Sequence, residues 1–144
     1  MKLRLKDQFI QKWHENISQG GKCTVYRIIK TTFGFENYLN TLPHLLRKYL
    51  TKFRCRNHRL PIEAGVRSQI LRDMRLCHFC QKGIGDEYHY LLCCAQFNEE
   101  RTQYMEPKYW ERPSILYLER LFKYTKGDNL KHLALFAKHI ICQF

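Results

Sequence analysis

Residues 77–94 read Cys77-His78-Phe79-Cys80-Gln81-Lys82-Gly83-Ile84-Gly85-Asp86-Glu87-Tyr88-His89-Tyr90-Leu91-Leu92-Cys93-Cys94. They contain the array C-x2-C-x8-H-x4-C. At that spacing two thiolates of one tight turn, an imidazole and a third thiolate can surround a single tetrahedral metal ion. Four protein ligands saturate the shell, so the expected cofactor is one structural zinc with no open position for a catalytic water. Gly83 and Gly85 let the loop between the ligand pairs double back without steric cost. Asp86 is a candidate N-cap for a helix opening at Glu87, which puts His89 in its first turn.

Cys77, Cys80 and His89 are joined by one of two neighbours. On a regular α-helix Cys93, at i+4, shares a face with His89 better than Cys94 does. The H-x4-C spacing of zinc knuckles favours Cys94 instead. The plain alternative to a metal is a set of buried free cysteines. One Cys-x2-Cys would not outweigh it, but four ligands in knuckle order within eighteen residues do.

With 144 residues, 44% of them apolar, the chain is long enough for one domain with a real core, 1–144. Within it we distinguish a basic helical part (1–62), the zinc knuckle with its flanking helices (66–105) and a C-terminal helical pair (106–144). No apolar run reaches membrane-spanning length, and Met1-Lys2-Leu3-Arg4-Leu5-Lys6 lacks the apolar core of a signal peptide. An intracellular protein of the nucleus or cytoplasm, without a membrane partner, is expected. Thiols stay reduced there, and an odd total of seven cysteines suits a metal better than a disulfide framework. Cys23, Cys55 and Cys142 are read as packing residues.

Net charge is +12 and unevenly placed. Residues 1–59 hold 13 Lys or Arg against three acids, whereas the remainder holds 12 against 10. A one-sided basic field is the footprint of a polyanion partner, most often nucleic acid.

The rest of the chain reads as mainly α, a small helical domain with a CCHC zinc knuckle between helices. Leu3 to Ile17 is a first helix with Leu3, Phe9, Ile10, Trp13 and Ile17 on one face, ended by Gly20-Gly21. Cys23 to Thr32 is rich in β-branched residues; its helical neighbours favour helix. Thr41 is a candidate N-cap, with Pro43 in the first turn of a helix whose inner stripe is Leu42, Leu45, Leu46, Tyr49, Leu50 and Phe53. Off that stripe lie Arg47, Lys48, Lys52, Arg54, Arg56 and Arg59, the expected phosphate contacts. Few acids interrupt them, so pairing within the helix cannot neutralise the run. Pro61 is expected to stop this helix, Gly65 to mark a turn, and Ser68 to Arg75 to form a short basic helix. The helix opened near Glu87 is expected to run through Leu91, Leu92, Phe97 and Tyr104 to Pro107. A helix from Pro113-Ser114 turns Ile115, Leu118, Leu121 and Phe122 inward and is closed by Gly127. A last helix, capped by Asp128 or Asn129, buries Leu130, Leu133, Ala134, Phe136, Ala137, Ile140 and Ile141.

Residues 50–65, with Leu50-Thr51-Lys52-Phe53-Arg54 and Asn57-His58-Arg59-Leu60-Pro61-Ile62-Glu63-Ala64-Gly65, resemble the zinc-binding region downstream of non-LTR retrotransposon reverse transcriptases. So do Arg75-Leu76-Cys77-His78-Phe79-Cys80 and Ile84-Gly85-Asp86-Glu87-Tyr88-His89-Tyr90-Leu91-Leu92 with Cys94. Motif order and spacing agree over residues 50–94 and more loosely outside them. The resemblance implies a CCHC ligand set of Cys77, Cys80, His89 and Cys94. It also implies a basic helix that belongs to a nucleic-acid-handling tail, and a polymerase module as a further partner. The chain departs from the pattern at Cys93, where many relatives carry an acidic or polar residue, and at Val66, which interrupts a Gly-Arg pair. It contains no Tyr-Ala-Asp-Asp-like motif to hold the magnesium ions of nucleotidyl transfer. A standalone, non-catalytic tail binding RNA or DNA mainly through phosphates is therefore expected.

Two other readings compete. Asn57-His58 ahead of a Cys-x2-Cys is similar to metal-finger nucleases, but the rest of such a site is not identifiable. A zinc-stabilised structural or protein-interaction domain would instead dock the basic helix on an acidic surface.

Overall fold

The computed structural model describes residues 2–144, apart from the side chain of Tyr124. Apolar residues at helical spacing build α1 (Lys2–Gln19), α2 (Thr24–Ile29), α3 (Tyr38–Thr41), α4 (His44–Arg54) and α5 (Pro61–Arg67). A hairpin and a π-helical turn (His89–Cys93) follow, then α6 (Asn98–Tyr104), α7 (Ile115–Tyr124) and α8 (Gly127–Cys142). The fold is mainly helical as expected. Among the described residues there is no strand, only an isolated antiparallel bridge between Leu76 and Ile84.

The inner stripe of α4 (Leu46, Leu50 and Phe53) packs along α8, which buries Leu133, Ala134, Phe136, Ala137 and Ile140. The same α8 also meets α6 and the π turn, and α2 lies against α7. One hydrophobic core runs from Val25 and Ile29 through Tyr90, Leu91 and Phe97 to Ile140. The basic part, the knuckle part and the C-terminal pair thus share a core. Burying a Leu or Phe side chain stabilises by roughly 1.5–3 kcal/mol, so this shared layer is what fixes their arrangement.

Several local expectations need correction. The apolar face of α1 is not buried: no residue of this helix is. Leu3, Leu5 and Phe9 are exposed, and its contacts inward include edge-on rings, Phe9 and Trp13 against Phe33, and the Ser18 carbonyl accepting from Arg27 Nη1. Thr41 ends α3 rather than capping α4, and Pro43 occupies the cap. Leu45 faces solvent. Pro61 does not close a helix but opens α5, where its missing amide proton is no loss, and Gly65 lies inside α5. Ser68 to Arg75 is not a helix; only a 3-10 turn at Arg72–Met74 forms. Ser114 caps α7 as expected, its hydroxyl accepting from the Tyr117 amide, while Ile115 is half exposed. Gly127, with φ +58, begins α8, whose cap position is Lys126. None of the described helices is long and apolar enough to cross a membrane.

Candidate metal centre

Cys77 and Cys80 stand on one tight turn. The Gln81 amide donates to the Cys77 carbonyl, and Gln81 takes a left-handed φ of 55° to reverse the chain. The returning segment is held by Cys77 N–H to the Gly83 carbonyl and Gly85 N–H to the Arg75 carbonyl, each 2.8 Å. Gly85 in turn accepts from the Ile62 amide, which docks the hairpin on α5. Close approach, not left-handed backbone, explains both loop glycines. A Cβ at Gly85 would lie 2.6 Å from Pro61 Cγ, and one at Gly83 would lie 2.9 Å from His89 Nδ1. Asp86 caps the next element as expected: its Oδ1 accepts from the His89 amide at 2.9 Å.

Cys77, Cys80, His89 and Cys94 converge, with their ligand atoms all within 4.8 Å of one another, and could hold a metal ion. Cys77 Sγ and Cys94 Sγ are 3.7 Å apart, and Cys80 Sγ is 3.2 Å from His89 Nε2. A tetrahedral ion with sulfur bonds of about 2.3 Å needs sulfurs about 3.8 Å apart, so the donor set fits. Backbone helps too. The Cys80 and Phe79 amides and the Tyr90 hydroxyl act on the Cys77 sulfur; burial raises its pKa, but together they bring it below that of an ordinary thiol. Burial, with the neighbouring Cys77 sulfur, pushes Cys94 up to about 12. Burial, with the nearby Arg101 charge, lowers His89, which favours the neutral imidazole that a metal ligand needs. A cation bound beside the close Cys77 and Cys94 sulfurs would favour their thiolate forms.

The choice between Cys93 and Cys94 is decided by an irregularity. The amide of Cys94 donates to the His89 carbonyl at 2.8 Å, an i to i+5 bond. That wider turn closes on Cys94, and the Cys94 sulfur joins the Cys77, Cys80 and His89 donors. The expected continuous α-helix from Glu87 to Tyr104 is absent for the same reason: Cys94 is extended, with φ −64° and ψ 122°, and α6 starts afresh at Asn98. Cys93 points away, where its sulfur meets the Tyr88 hydroxyl.

Two residues that the sequence reading passed over hold this centre in place. Arg101, on α6, is fully buried and gathers the carbonyls of the π turn. Its Nε donates to Leu91 (2.7 Å), and its Nη2 donates to Cys94 (2.7 Å) and Tyr90 (3.3 Å). Glu87 is buried completely, and its Oε1 accepts from His58 Nε2 (2.8 Å) and Arg56 Nε (3.1 Å). Burial pushes the Glu87 carboxyl up, but the His58 hydrogen bond and the Arg56 charge outweigh it and hold it below the ordinary value. A count of charges does not separate a buried Arg or Glu from a solvated one, so neither had a signal.

The six expected phosphate contacts divide. Arg54 is buried, paired with Glu36 at 2.8 Å and sandwiched between the Tyr38 and Phe122 rings. Arg56 is buried between Glu63 (3.4 Å) and Glu87 (3.1 Å). Neither guanidinium is presented to a ligand. Both were mistaken for surface charges because their partners come from distant sequence. Arg47 is half-buried, with one nitrogen donating to the Leu39 carbonyl. Lys48 and Arg59 are exposed, and Lys52 is partly so, its ammonium over the Tyr49 ring. His58 is also committed: its second nitrogen accepts from the Leu60 amide.

What fold and site define is a helical protein with a Cys3His group able to hold a metal ion. Comparison with protein-family models, curated proteins and solved structures finds no match to this chain.

Proposed function

We propose that the chain is a non-catalytic, zinc-dependent nucleic-acid-binding module of the kind found in the tails of non-LTR retrotransposon reverse transcriptases. Three sulfurs and one imidazole within 4.8 Å of one another suit zinc better than the hard cations, which prefer oxygen. The ion clamps the hairpin to the π turn. Glu87, through Arg56 and His58, then ties that clamp to the end of α4. Lys48, Lys52 and Arg59 are the α4-side cations left to meet a backbone phosphate of RNA or DNA. The observation that carries the reading is their lack of compensation. Among the described residues no carboxylate lies within ion-pair distance of any of the three. A polymerase module joined to such a tail would supply the chemistry.

Titration of a labelled oligonucleotide at two salt concentrations tests the reading. Affinity should fall with salt, with a log–log slope near −0.7 to −0.9 per phosphate contacted. Absence of binding, or binding indifferent to salt, refutes it. One observation favours a protein-interaction role instead: Val66, Ile70, Leu71 and Met74 are all exposed around the end of α5. On that reading, Lys52→Glu with Arg59→Glu would leave oligonucleotide affinity unchanged.

A further inference from the structure

A cleft of about 410 Å³ lies where the end of α4, the following loop, α5 and the last turn of α8 meet. Lys52, Asn57, Arg59 and Arg67 line it, Ile141 and Phe144 form its apolar side, and His58 lies beneath. The cations come from separate elements, and no acidic side chain is among the lining residues. Nor, among the described residues, does any carboxylate stand within ion-pair distance of Lys52, Arg59 or Arg67. The nearby acids are already taken, Glu63 and Glu87 by Arg56 and Glu36 by Lys30 and Arg54. A concave site with unbalanced positive charge focuses its field on an anion.

The apolar side adds a second requirement. The Phe144 ring continues into a cluster with His78 (5.6 Å between centroids), Phe79 (5.8 Å) and Tyr90 (5.3 Å). Tyr90 is buried and anchors the group to the metal hairpin, whereas His78 and Phe79 are exposed. Cations beside aromatic rings match a nucleotide whose base face is uncovered. A duplex hides those faces; a single strand offers them.

We infer that this cleft binds a backbone phosphate of single-stranded nucleic acid on Lys52, Arg59 and Arg67 while the Phe144–His78–Phe79 rings take an adjacent base. The inference rests on the nucleic-acid reading above and narrows it to a strand form and a place.

The test compares labelled single strands of ~12 nucleotides, DNA and RNA, with a blunt duplex of equal length. It uses wild type, Arg59→Gln with Arg67→Gln, Phe144→Leu, and Lys108→Gln as a control outside the cleft. Single strands should bind about tenfold or more tightly than duplex. The double arginine variant should lose up to about 0.7 from the salt slope, the share of the one phosphate held in the cleft. Phe144→Leu should weaken binding by about fivefold or more with the slope unchanged. Duplex binding equal to or tighter than single-strand binding overturns the inference while leaving the broader reading intact, as do cleft variants that bind like wild type. Failure of wild type to bind any of the oligonucleotides sinks both. Metal content and helical circular dichroism establish that each variant is folded. If a cleft variant is not, a thymidine dinucleotide is titrated into wild type and followed by NMR. Shifts at the Arg59 and Arg67 Nε–H groups and the Phe144 ring support the site; shifts confined elsewhere overturn it.

Discussion

Glu87 stands two positions before His89 and accepts hydrogen bonds from His58 and Arg56 in a place with no solvent. Its other oxygen, Oε2, is buried with no hydrogen-bond partner. Substitution by Gln keeps the shape and removes the charge, leaving the buried Arg56 guanidinium with Glu63 as its one paired carboxylate. Taking one member from a buried charge cluster costs about 3 kcal/mol. Urea unfolding of Glu87→Gln should show that loss as a lower midpoint at unchanged slope; an unmoved midpoint contradicts the assigned role. A second expectation at this scale concerns the adjacent cysteines. Cys94→Ser should abolish stoichiometric metal in the purified protein, while Cys93→Ser should keep one ion per chain. Metal analysis of the two variants decides it, and the reverse pattern would reject the π-turn geometry.

The π turn depends on Arg101 as much as on the metal, because widening a helix strands carbonyls that only a multi-pronged donor can gather. Lysine offers a point charge without the guanidinium fork. Arg101→Lys should therefore weaken metal affinity by about 10–100-fold, the usual effect of disturbing what holds a ligand in place. Competition with a chromophoric chelator measures it, and affinity equal to wild type counts against the arrangement. This element also marks the limit of sequence reading. The ligand positions were legible because metal chemistry imposes a spacing, and Asp86 was legible because a cap acts three residues away. The π turn was not, since helical periodicity alone put Cys93 under His89. The role of Pro61 was misread for a related reason: the same proline that ends one helix suits the first turn of the next. Arg54 and Arg56 were misassigned because Glu36, Glu63 and Glu87 reach them only after folding. The alternating stripes of α4 and α8 were readable, since a face that must be buried writes itself into the spacing of Leu, Phe and Ala.

At the scale of the molecule the metal hairpin is one wall of the shared core: Cys77, Tyr90, Leu91 and Cys94 are all buried in it. A metal bound by the native state alone stabilises it through mass action, by about 4 kcal/mol at a thousandfold excess over Kd. Chelation should accordingly lower the melting temperature by roughly 10 °C or more for a chain of this size. Calorimetry with and without chelator measures the shift, and identical transitions would mean the four ligands carry no ion that matters to folding. The opposite expectation applies to α1. Eighteen residues of helix extend about 27 Å, yet none of its side chains is buried. Its lysines, Lys2, Lys6 and Lys12, are all exposed, so a lysine-directed protease has its easiest substrate there. Brief digestion should trim this arm first and leave a resistant body that keeps its sulfur-held ion, which makes the trimmed product the natural starting point for crystallisation.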